Sequence, residues 1–276
     1  MRRWSISRVR ERLGVAAKAR ARADADRDEY AVDKVVAKMV ARLSTVGYVV
    51  IPRYVVGAEL DRLREEVDAV FTERAERVQT GEGGDRRMFG VEAASSALAA
   101  FGQDPFLARV GTAFVGPLAT VTTMANRVAR TSMVESSGGG WHRDRFARQF
   151  KVMLYLTDVG PENGPFCILP RTKSPWRTYL AHLLLGTPAE QRRWSDREMS
   201  RLLAVLRPTT LTGSAGTAVL FDSSCIHRGT ELRSGERTAI TNYYYEPVAD
   251  SEARKLRKKL QPIEGLTRLR PVMPRR

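Results

Sequence analysis

The first part of the chain carries two helical hydrophobic patterns. In residues 23–44, and again in residues 57–78, apolar side chains recur every three or four positions with polar ones between them. This spacing is typical of amphipathic helices that lay one face on a core. A run of mainly β-branched residues, 46–51, separates the two patterns and stops at Pro52, which predicts a short strand. The predicted buried face of the second helix consists of Leu60, Leu63, Val67, Val70 and Phe71.

From about residue 117 onward the hydrophobic period shortens to that of strands. The predicted strands are 119–130, 149–157, 164–169, 216–221, 224–232 and 236–246. A segment of roughly 175–206 returns to helical spacing, and the Gly-rich polar stretch 79–87 predicts a loop. Short strands with turn signals, preceded by helices, favour a β-sandwich or open barrel flanked by helices. The chain has no βαβ alternation and no GxGxxG motif, which argues against a dinucleotide-binding fold.

The excess positive charge is concentrated at the two ends. The chain has 46 Lys and Arg against 31 Asp and Glu, a formal net charge of +15. Residues 1–22 contain eight basic side chains and one acidic, and residues 251–276 contain nine and two, so the body between them is close to neutral. Basic ends favour weak contact with an anionic membrane surface or a polyanion, whereas a nucleic-acid-binding domain more often carries its charge on a folded face.

Several classes of protein are excluded by composition. The chain has no run of 18 or more apolar residues, so no membrane-spanning helix is expected, and no long apolar region follows the first arginines as in a secretory signal. Cys167 and Cys225 form neither a disulfide framework nor a CxxC motif. We therefore expect a cytoplasmic protein. The apolar positions within 4–17 fit an interfacial helix, a solvated helix or an arm that packs on the body; a transit peptide ranks last.

Candidate metal-binding residues lie in the strand-rich part of the chain. His142 follows a glycine run and precedes Asp144 by two positions. In an extended segment such side chains share a face, with α-carbons ~6.5 Å apart, so an imidazole and a carboxylate can converge on one ion. His227, on a predicted strand, can supply a third ligand, and two histidines with one carboxylate are typical of non-haem Fe(II) oxygenases. Taken singly, a His–Asp hydrogen bond and a core histidine are the ordinary alternatives.

A candidate anion-binding arginine follows ten residues after His227. If 234–235 form a hairpin turn, Arg237 pairs opposite Leu232, which lies about 17 Å of backbone from His227 at ~3.4 Å per residue. An Arg side chain and a five-carbon dicarboxylate laid end to end roughly span this distance. The guanidinium matches a carboxylate bidentately, so Arg237 could hold the far carboxylate of 2-oxoglutarate. A surface salt bridge to a neighbouring glutamate is the alternative.

Two longer stretches place these residues in a recognisable order. Residues 141–173 read WHRDRFARQFKVMLYLTDVGPENGPFCILPRTK, an HxD motif followed by an apolar strand and the YLTDV…ENGPF…LP turn and strand. Residues 216–245 read GTAVLFDSSCIHRGTELRSGERTAITNYYY, with the distal His and then Arg. Together they resemble the phytanoyl-CoA dioxygenase family of Fe(II)/2-oxoglutarate oxygenases, over roughly residues 45–247.

The resemblance implies a fold and a set of site residues. The fold would be mainly β with flanking helices, built on a double-stranded β-helix, or jelly roll. Arg237 would bind 2-oxoglutarate. Asn126 and Met124 stand sixteen to eighteen residues before the HxD motif, where family members place a polar or sulfur side chain, and Asn126 is the preferred co-substrate contact. The implied iron ligands, which are also the catalytic centre, are His142, Asp144 and His227.

The sequence departs from the family pattern in two places. Gly229 stands where many members have Ser, two residues after the distal His, so a hydroxyl contact is lost. The segment PRTKS replaces the common PGSH, which would turn Arg171 and Lys173 toward the rim and an anionic substrate. Arg86 and Arg87, after the Gly-rich loop, either close over the substrate or form a solvated charge pair.

The implied activity is that of a dioxygenase that uses Fe(II), 2-oxoglutarate and O₂. It would decarboxylate 2-oxoglutarate to succinate and hydroxylate a C–H bond; a small residue in place of Asp144 would instead open a chloride site.

The substrate would be a small or lipid-linked molecule, with peripheral membrane contact through the basic ends and no nucleic acid. The alternative is a non-catalytic jelly-roll protein whose basic termini bind anionic membrane or nucleic acid. A second alternative is a cupin-like hydrolase or isomerase that uses another metal, but that activity would leave Arg237 without a role.

This interpretation divides the chain into three parts. Residues 1–44 are predicted to be a basic helical extension, and 248–276 a basic tail. The oxygenase domain would span 45–247 and include the helical insertion of about 175–206.

Overall fold

Two antiparallel sheets face each other in the computed structural model, which describes residues 32–81, 85–129, 140–188, 190–247 and 267–268. The predicted segments 4–17 and 23–31 lie outside the described residues, as do the basic ends apart from 267–268. The division of the chain into three parts therefore stays a prediction. No helix within the described ranges is both long and apolar enough to cross a membrane.

The strands form one large and one small sheet. In chain order they are β1 (Tyr48–Ile51), β2 (Gln79–Thr80), β3 (Arg86–Phe89), β4 (Thr120–Ala129), β5 (Trp141–His142), β6 (Phe150–Tyr155), β7 (Phe166–Ile168), β8 (Arg193–Trp194), β9 (Thr209–Leu211), β10 (Ala218–Asp222), β11 (His227–Gly229), β12 (Glu236–Tyr245) and β13 (Thr267–Arg268). The large sheet has the order β1-β10-β6-β12-β4-β3-β2, with β13 also paired to β4, and the small sheet has the order β8-β5-β11-β7-β9. This mainly β architecture with flanking helices is the one expected.

The helices cover the outer faces of both sheets. They are α1 (32–45), α2 (Ala58–Glu73), α3 (Ser96–Gly102), α4 (Pro105–Val115), α5 (Pro175–Leu185) and α6 (Asp196–Val205). The α2 helix buries the five residues predicted from its spacing. The α4 helix begins where the Asp104 carboxylate accepts from two backbone amides and a proline follows, and α6 begins with a capping box of Ser195 and Glu198.

Alternation along β6 separates the helix-facing core from the space between the sheets. Phe150, Val152 and Leu154 pack with α2, α3 and α4 in the largest apolar cluster. Tyr155 points the other way and packs with residues of both sheets, as does Met153. Because side chains alternate along a strand, β6 presents its remaining residues to the interior. The interior between the sheets is where the candidate site residues lie.

All six predicted strand segments contain an observed strand, but two details were wrong. The stretch 79–87 is not only a loop, because β2 and β3 pair as a hairpin there. The predicted hairpin between the strands at 224–232 and 236–246 does not form. Instead β11 pairs with β5 and β7 in the small sheet, while β12 pairs with β4 and β6 in the large one. Arg237 therefore lies opposite Val128, and Leu232 bridges Asn163.

The Tyr155 hydroxyl ties the two sheets together. It donates to the Leu211 carbonyl at 2.7 Å and accepts from the Phe166 amide at 3.2 Å, and its side chain is fully buried. We expect Tyr155→Phe to lower the free energy of unfolding by about 1–3 kcal/mol, because it leaves buried polar groups short of a partner. Denaturant unfolding measures this change. Tyr179→Phe is the control, since that side chain is 63 % exposed. Equal stability of Tyr155→Phe and the parent protein would contradict the assignment.

Candidate active site

Strand pairing brings the three predicted ligands together. In the small sheet, His142 on β5 lies directly opposite His227 on β11. Asp144 is the second residue after β5, and its backbone is held on both sides: the amide donates to the Ser223 carbonyl at 3.1 Å, and the carbonyl accepts from Arg192 at 2.7 Å. The HxD segment and the distal histidine, 85 residues apart in sequence, therefore meet on two neighbouring strands of the small sheet.

The donor atoms of these three side chains form one cluster. The Asp144 Oδ1 atom is 3.9 Å from His142 Nε2, and its Oδ2 atom is 3.8 Å from His227 Nε2. The two imidazole centroids are 4.4 Å apart. One ligand atom from each residue lies within 4.8 Å of the others, which is close enough for small side-chain rotations to bring all three to one metal ion. Two nitrogens and one carboxylate oxygen suit Fe(II).

Hydrogen bonds at Nδ1 leave the Nε2 atoms of His142 and His227 available for a metal ion. The Nδ1 atom of His142 is 2.9 Å from the Gly140 carbonyl, and that of His227 is 2.8 Å from the Cys225 carbonyl. An N–H at Nδ1 donates to each carbonyl and leaves the Nε2 lone pair facing Asp144. Burial lowers the pKa of both histidines, that of His227 to about 3, although the Asp144 charge opposes the shift. Both imidazoles are therefore neutral near pH 7, as ligation requires.

Asp144 is ionised and pairs with a buried lysine. Burial raises the pKa of the Asp144 carboxyl, but the charge of Lys151, joined in acid by the protonated forms of His227 and His142, outweighs it, and the pKa lies well below its ordinary value. The Lys151 ammonium donates to Asp144 Oδ2 at 2.7 Å and lies 3.8 Å from the centroid of the Tyr243 ring. The third ligand therefore carries its negative charge at neutral pH.

Arg237 projects from β12 of the large sheet into the same interior. Arg237 is only 2 % exposed. Its guanidinium donates to the Gly164 carbonyl and, at 3.2 Å, to Asn126 Oδ1. The amide of Asn126 in turn donates to Asp85. Burial lowers the pKa of Arg237, opposed by nearby Tyr155 and Asp85, but an arginine this basic stays charged. Asn126 thus orients its oxygen toward the guanidinium.

One cavity of about 280 Å³ between the sheets contains all of these groups. Its lining includes every residue predicted from the sequence as a site residue: His142, Asp144, His227, Arg237, Asn126 and Met124. The Met124 sulfur accepts from the Tyr243 hydroxyl at 3.6 Å. The apolar part of the wall comes from Phe89, Met153, Phe166, Phe221 and Ala239. Gly229 also lines this space.

Lys151, Asp85 and Tyr243 were not among the site residues predicted from the sequence. All three line the cavity. A signal for Lys151 was present, because a lone lysine inside the strand FKVMLY is unusual and lysines are rarely buried without a partner. Asp85 stands in the Gly-rich stretch that predicted a loop, where nothing in the pattern separates a buried aspartate from a solvated one.

The expectation for Lys173 was wrong. Its side chain is 7 % exposed, pairs with Asp222 at 3.3 Å and donates to a backbone carbonyl, away from the cavity. Arg171 is exposed and does not line the cavity either. The two arginines after the Gly-rich stretch differ: Arg86 lies over the Phe71 ring, whereas Arg87 lines the cavity and pairs with a carboxylate there.

Comparisons with known proteins agree with this geometry. The family model described as phytanoyl-CoA dioxygenase (PhyH) matches residues 43–239. An L-proline trans-4-hydroxylase of Streptomyces griseoviridis is 23% identical over 241 residues, covering 76% of this chain and 86% of that protein.

Solved structures share the fold at low sequence identity. The epimerase SnoN, in complex with Fe3+, alpha ketoglutarate and nogalamycin RO, has a TM-score of 0.62 at 16% identity and covers 88% of this chain and 97% of its own. The EctD structure from S. alaskensis with 2-oxoglutarate and 5-hydroxyectoine has a TM-score of 0.58 at 19% identity and covers 75% of each chain. The match over residues 43–239 spans more than half of the chain, so the protein belongs to the phytanoyl-CoA dioxygenase family and is a non-haem Fe(II)/2-oxoglutarate-dependent oxygenase with a jelly-roll core.

Proposed function

We propose that this oxygenase hydroxylates a C–H bond of a small polar molecule and that its iron is held by His142, Asp144 and His227. The observation that carries the proposal is the placement of two neutral imidazoles and one ionised carboxylate on one wall of a cavity. The opposite wall carries the buried cation Arg237. A non-catalytic jelly-roll protein would have no use for this set.

His142, Asp144 and His227 would hold the iron, each with one ligand atom. Bound iron, with 2-oxoglutarate and O₂, supplies the oxidising chemistry that yields succinate and a hydroxylated product. The protein supplies binding and orientation. Its backbone carbonyls fix the imidazole tautomers, and the aromatic wall of Phe166 and Phe221 limits the access of water to the reacting groups.

Arg237 is the proposed contact for the distal carboxylate of 2-oxoglutarate. Within the described part of the chain, both of its hydrogen bonds go to neutral oxygens, of Gly164 and Asn126. Burying a charge without an ionic hydrogen-bond partner is costly, so an anion in the cavity would offset that cost. Asn126 serves as the positioning partner of the guanidinium and Met124 as a neighbouring wall contact.

The cavity favours a small polar substrate. Its volume of about 280 Å³ must hold the co-substrate as well as the reacting part of the substrate, and ligand sites for larger molecules span roughly 300–1,000 Å³. Charged side chains of Asp85, Arg87 and Arg193 line it. The related hydroxylase from Streptomyces griseoviridis is named for proline, a molecule of this size and polarity. An amino-acid-sized substrate is therefore our first choice.

A lipid-linked substrate is the second candidate and rests on the basic ends of the chain. Residues 1–22 and 251–276 would then contact an anionic membrane from the cytoplasmic side. Comparing liposome binding by the full chain with that of a chain lacking both segments tests this idea. Unchanged binding after truncation would remove it.

The proposed chemistry is tested without knowing the substrate. Anaerobic addition of Fe(II) and then 2-oxoglutarate should produce the weak visible charge-transfer band of a bidentate 2-oxo acid chelate. A substrate library read by succinate release, followed by the mass shift of the consumed compound, then identifies the substrate. A protein that gives neither the band nor succinate contradicts the proposal.

A further inference from the structure

Lys151 is a buried lysine in contact with a proposed iron ligand. It lies on β6 with its side chain 5 % exposed, and its ammonium contacts the Asp144 carboxylate and the Tyr243 ring. Burying an ammonium group is costly unless it is paired, and here the carboxylate that pairs with it is a proposed iron ligand. An apolar residue would fill the same strand position at no such cost. The lysine therefore calls for a functional explanation.

The contact divides the two oxygens of the carboxylate. Lys151 donates to Asp144 Oδ2 at 2.7 Å, the oxygen that lies 3.8 Å from His227 Nε2, whereas Oδ1 has no hydrogen bond with the lysine and lies 3.9 Å from His142 Nε2. A carboxylate whose second oxygen accepts a charge-assisted hydrogen bond has one oxygen left for a metal ion. Without the lysine, both Asp144 oxygens could bind the ion. The second oxygen would then compete with the 2-oxo acid, which itself binds through two oxygens.

We propose that Lys151 is a positioning residue that holds Asp144 to one ligating oxygen and whose charge admits the dianionic co-substrate. This inference rests on the proposed function. The charge of Lys151 offsets that of Asp144, so the ligand set with its lysine is close to neutral. Removing the lysine lowers the net charge of the set by one unit, with or without a bound divalent ion, which favours binding of the cation and weakens the attraction for a dianion.

The two effects have opposite signs, and that separates positioning from simple structural support. In Lys151→Met the metal should bind as tightly as before or more tightly, while the Kd of 2-oxoglutarate should rise about tenfold or more. Lys151→Arg keeps the charge and should restore most of the 2-oxoglutarate affinity. A loss of folding, by contrast, would weaken both ligands together.

Lys173→Met is a matched control. Lys173 is also a buried lysine paired with an aspartate, and its ammonium lies 4.8 Å from the centroid of the Phe114 ring, but it does not line the cavity. Its loss removes a similar set of contacts, so it should lower stability and leave both ligand affinities within about twofold of the parent protein.

The experiment titrates Co(II), and separately 2-oxoglutarate onto the anaerobic Fe(II) protein, for the parent and the three variants. The inference is overturned if Lys151→Met binds 2-oxoglutarate within threefold of the parent, or if its metal affinity falls along with its 2-oxoglutarate affinity. Failure of the parent protein itself to bind both ligands would instead refute the proposed function.

Discussion

The His142→Ala variant is expected to lose at least about 100-fold in iron affinity and nearly all succinate formation. Replacing only the outer partner of a metal ligand typically costs 10–100-fold, and this change removes a ligand itself. His142 lies beside Asp144 and opposite His227, so its loss leaves two donors for the ion. Anaerobic Fe(II) titration and a succinate assay on the same preparations measure both effects.

His182→Ala is the control for this experiment. His182 is the remaining histidine of the chain, its Nδ1 lies 3.2 Å from the Thr187 hydroxyl, and it does not line the cavity. We expect this variant to keep its iron affinity. Succinate formation at the parent rate by His142→Ala would show that the HxD segment does not hold the iron.

The second large effect is expected at Arg237. Arg237→Met should raise the KM for 2-oxoglutarate about 100-fold, because truncating one partner of a buried charge pair costs about 2–5 kcal/mol, and each 1.4 kcal/mol is tenfold. Iron affinity should change little, since Arg237 projects from the opposite sheet and contacts Gly164 and Asn126 rather than the ligands. Steady-state kinetics over a range of 2-oxoglutarate concentrations separates KM from kcat.

Two further variants sharpen this result. Arg237→Lys should recover only part of the affinity for 2-oxoglutarate. A guanidinium can bind the Gly164 and Asn126 oxygens and a carboxylate at the same time, whereas a single ammonium cannot. Arg233→Met is the control, since that side chain is 65 % exposed and pairs with surface glutamates. A KM for Arg237→Met within threefold of the parent would remove Arg237 from the co-substrate site.

The candidate site residues predicted from the sequence lie around one cavity, but one predicted strand connection was wrong. The HxD segment, His227 and Arg237 were identified from residue type and spacing, and the structure places all of them around one cavity. The hairpin that was used to relate Arg237 to His227 does not exist, because β11 and β12 belong to different sheets. Alternation along a strand predicts which side chains share a face, but it does not predict the partner strand.

The shortest elements were also beyond the sequence. Strands β5 and β8 have two residues each, too few to show a period, yet their pairing places Arg193 opposite His142 at the cavity. Such strands are stabilised by their neighbours in the sheet and by the helices α5 and α6 that cover it, through the cluster around Trp141 and Met199.

The sequence by itself determined the main helices and the longer strands, the candidate residues for binding iron and 2-oxoglutarate, and the family. These follow from local periodicity and from motifs that are contiguous along the chain. Only the tertiary structure decided that Lys151 contacts Asp144 and that Asp85 orients Asn126 toward Arg237. The physical reason is that contacts across the interior depend on strand order and on the facing of two sheets, and neither is encoded in the spacing of any one segment.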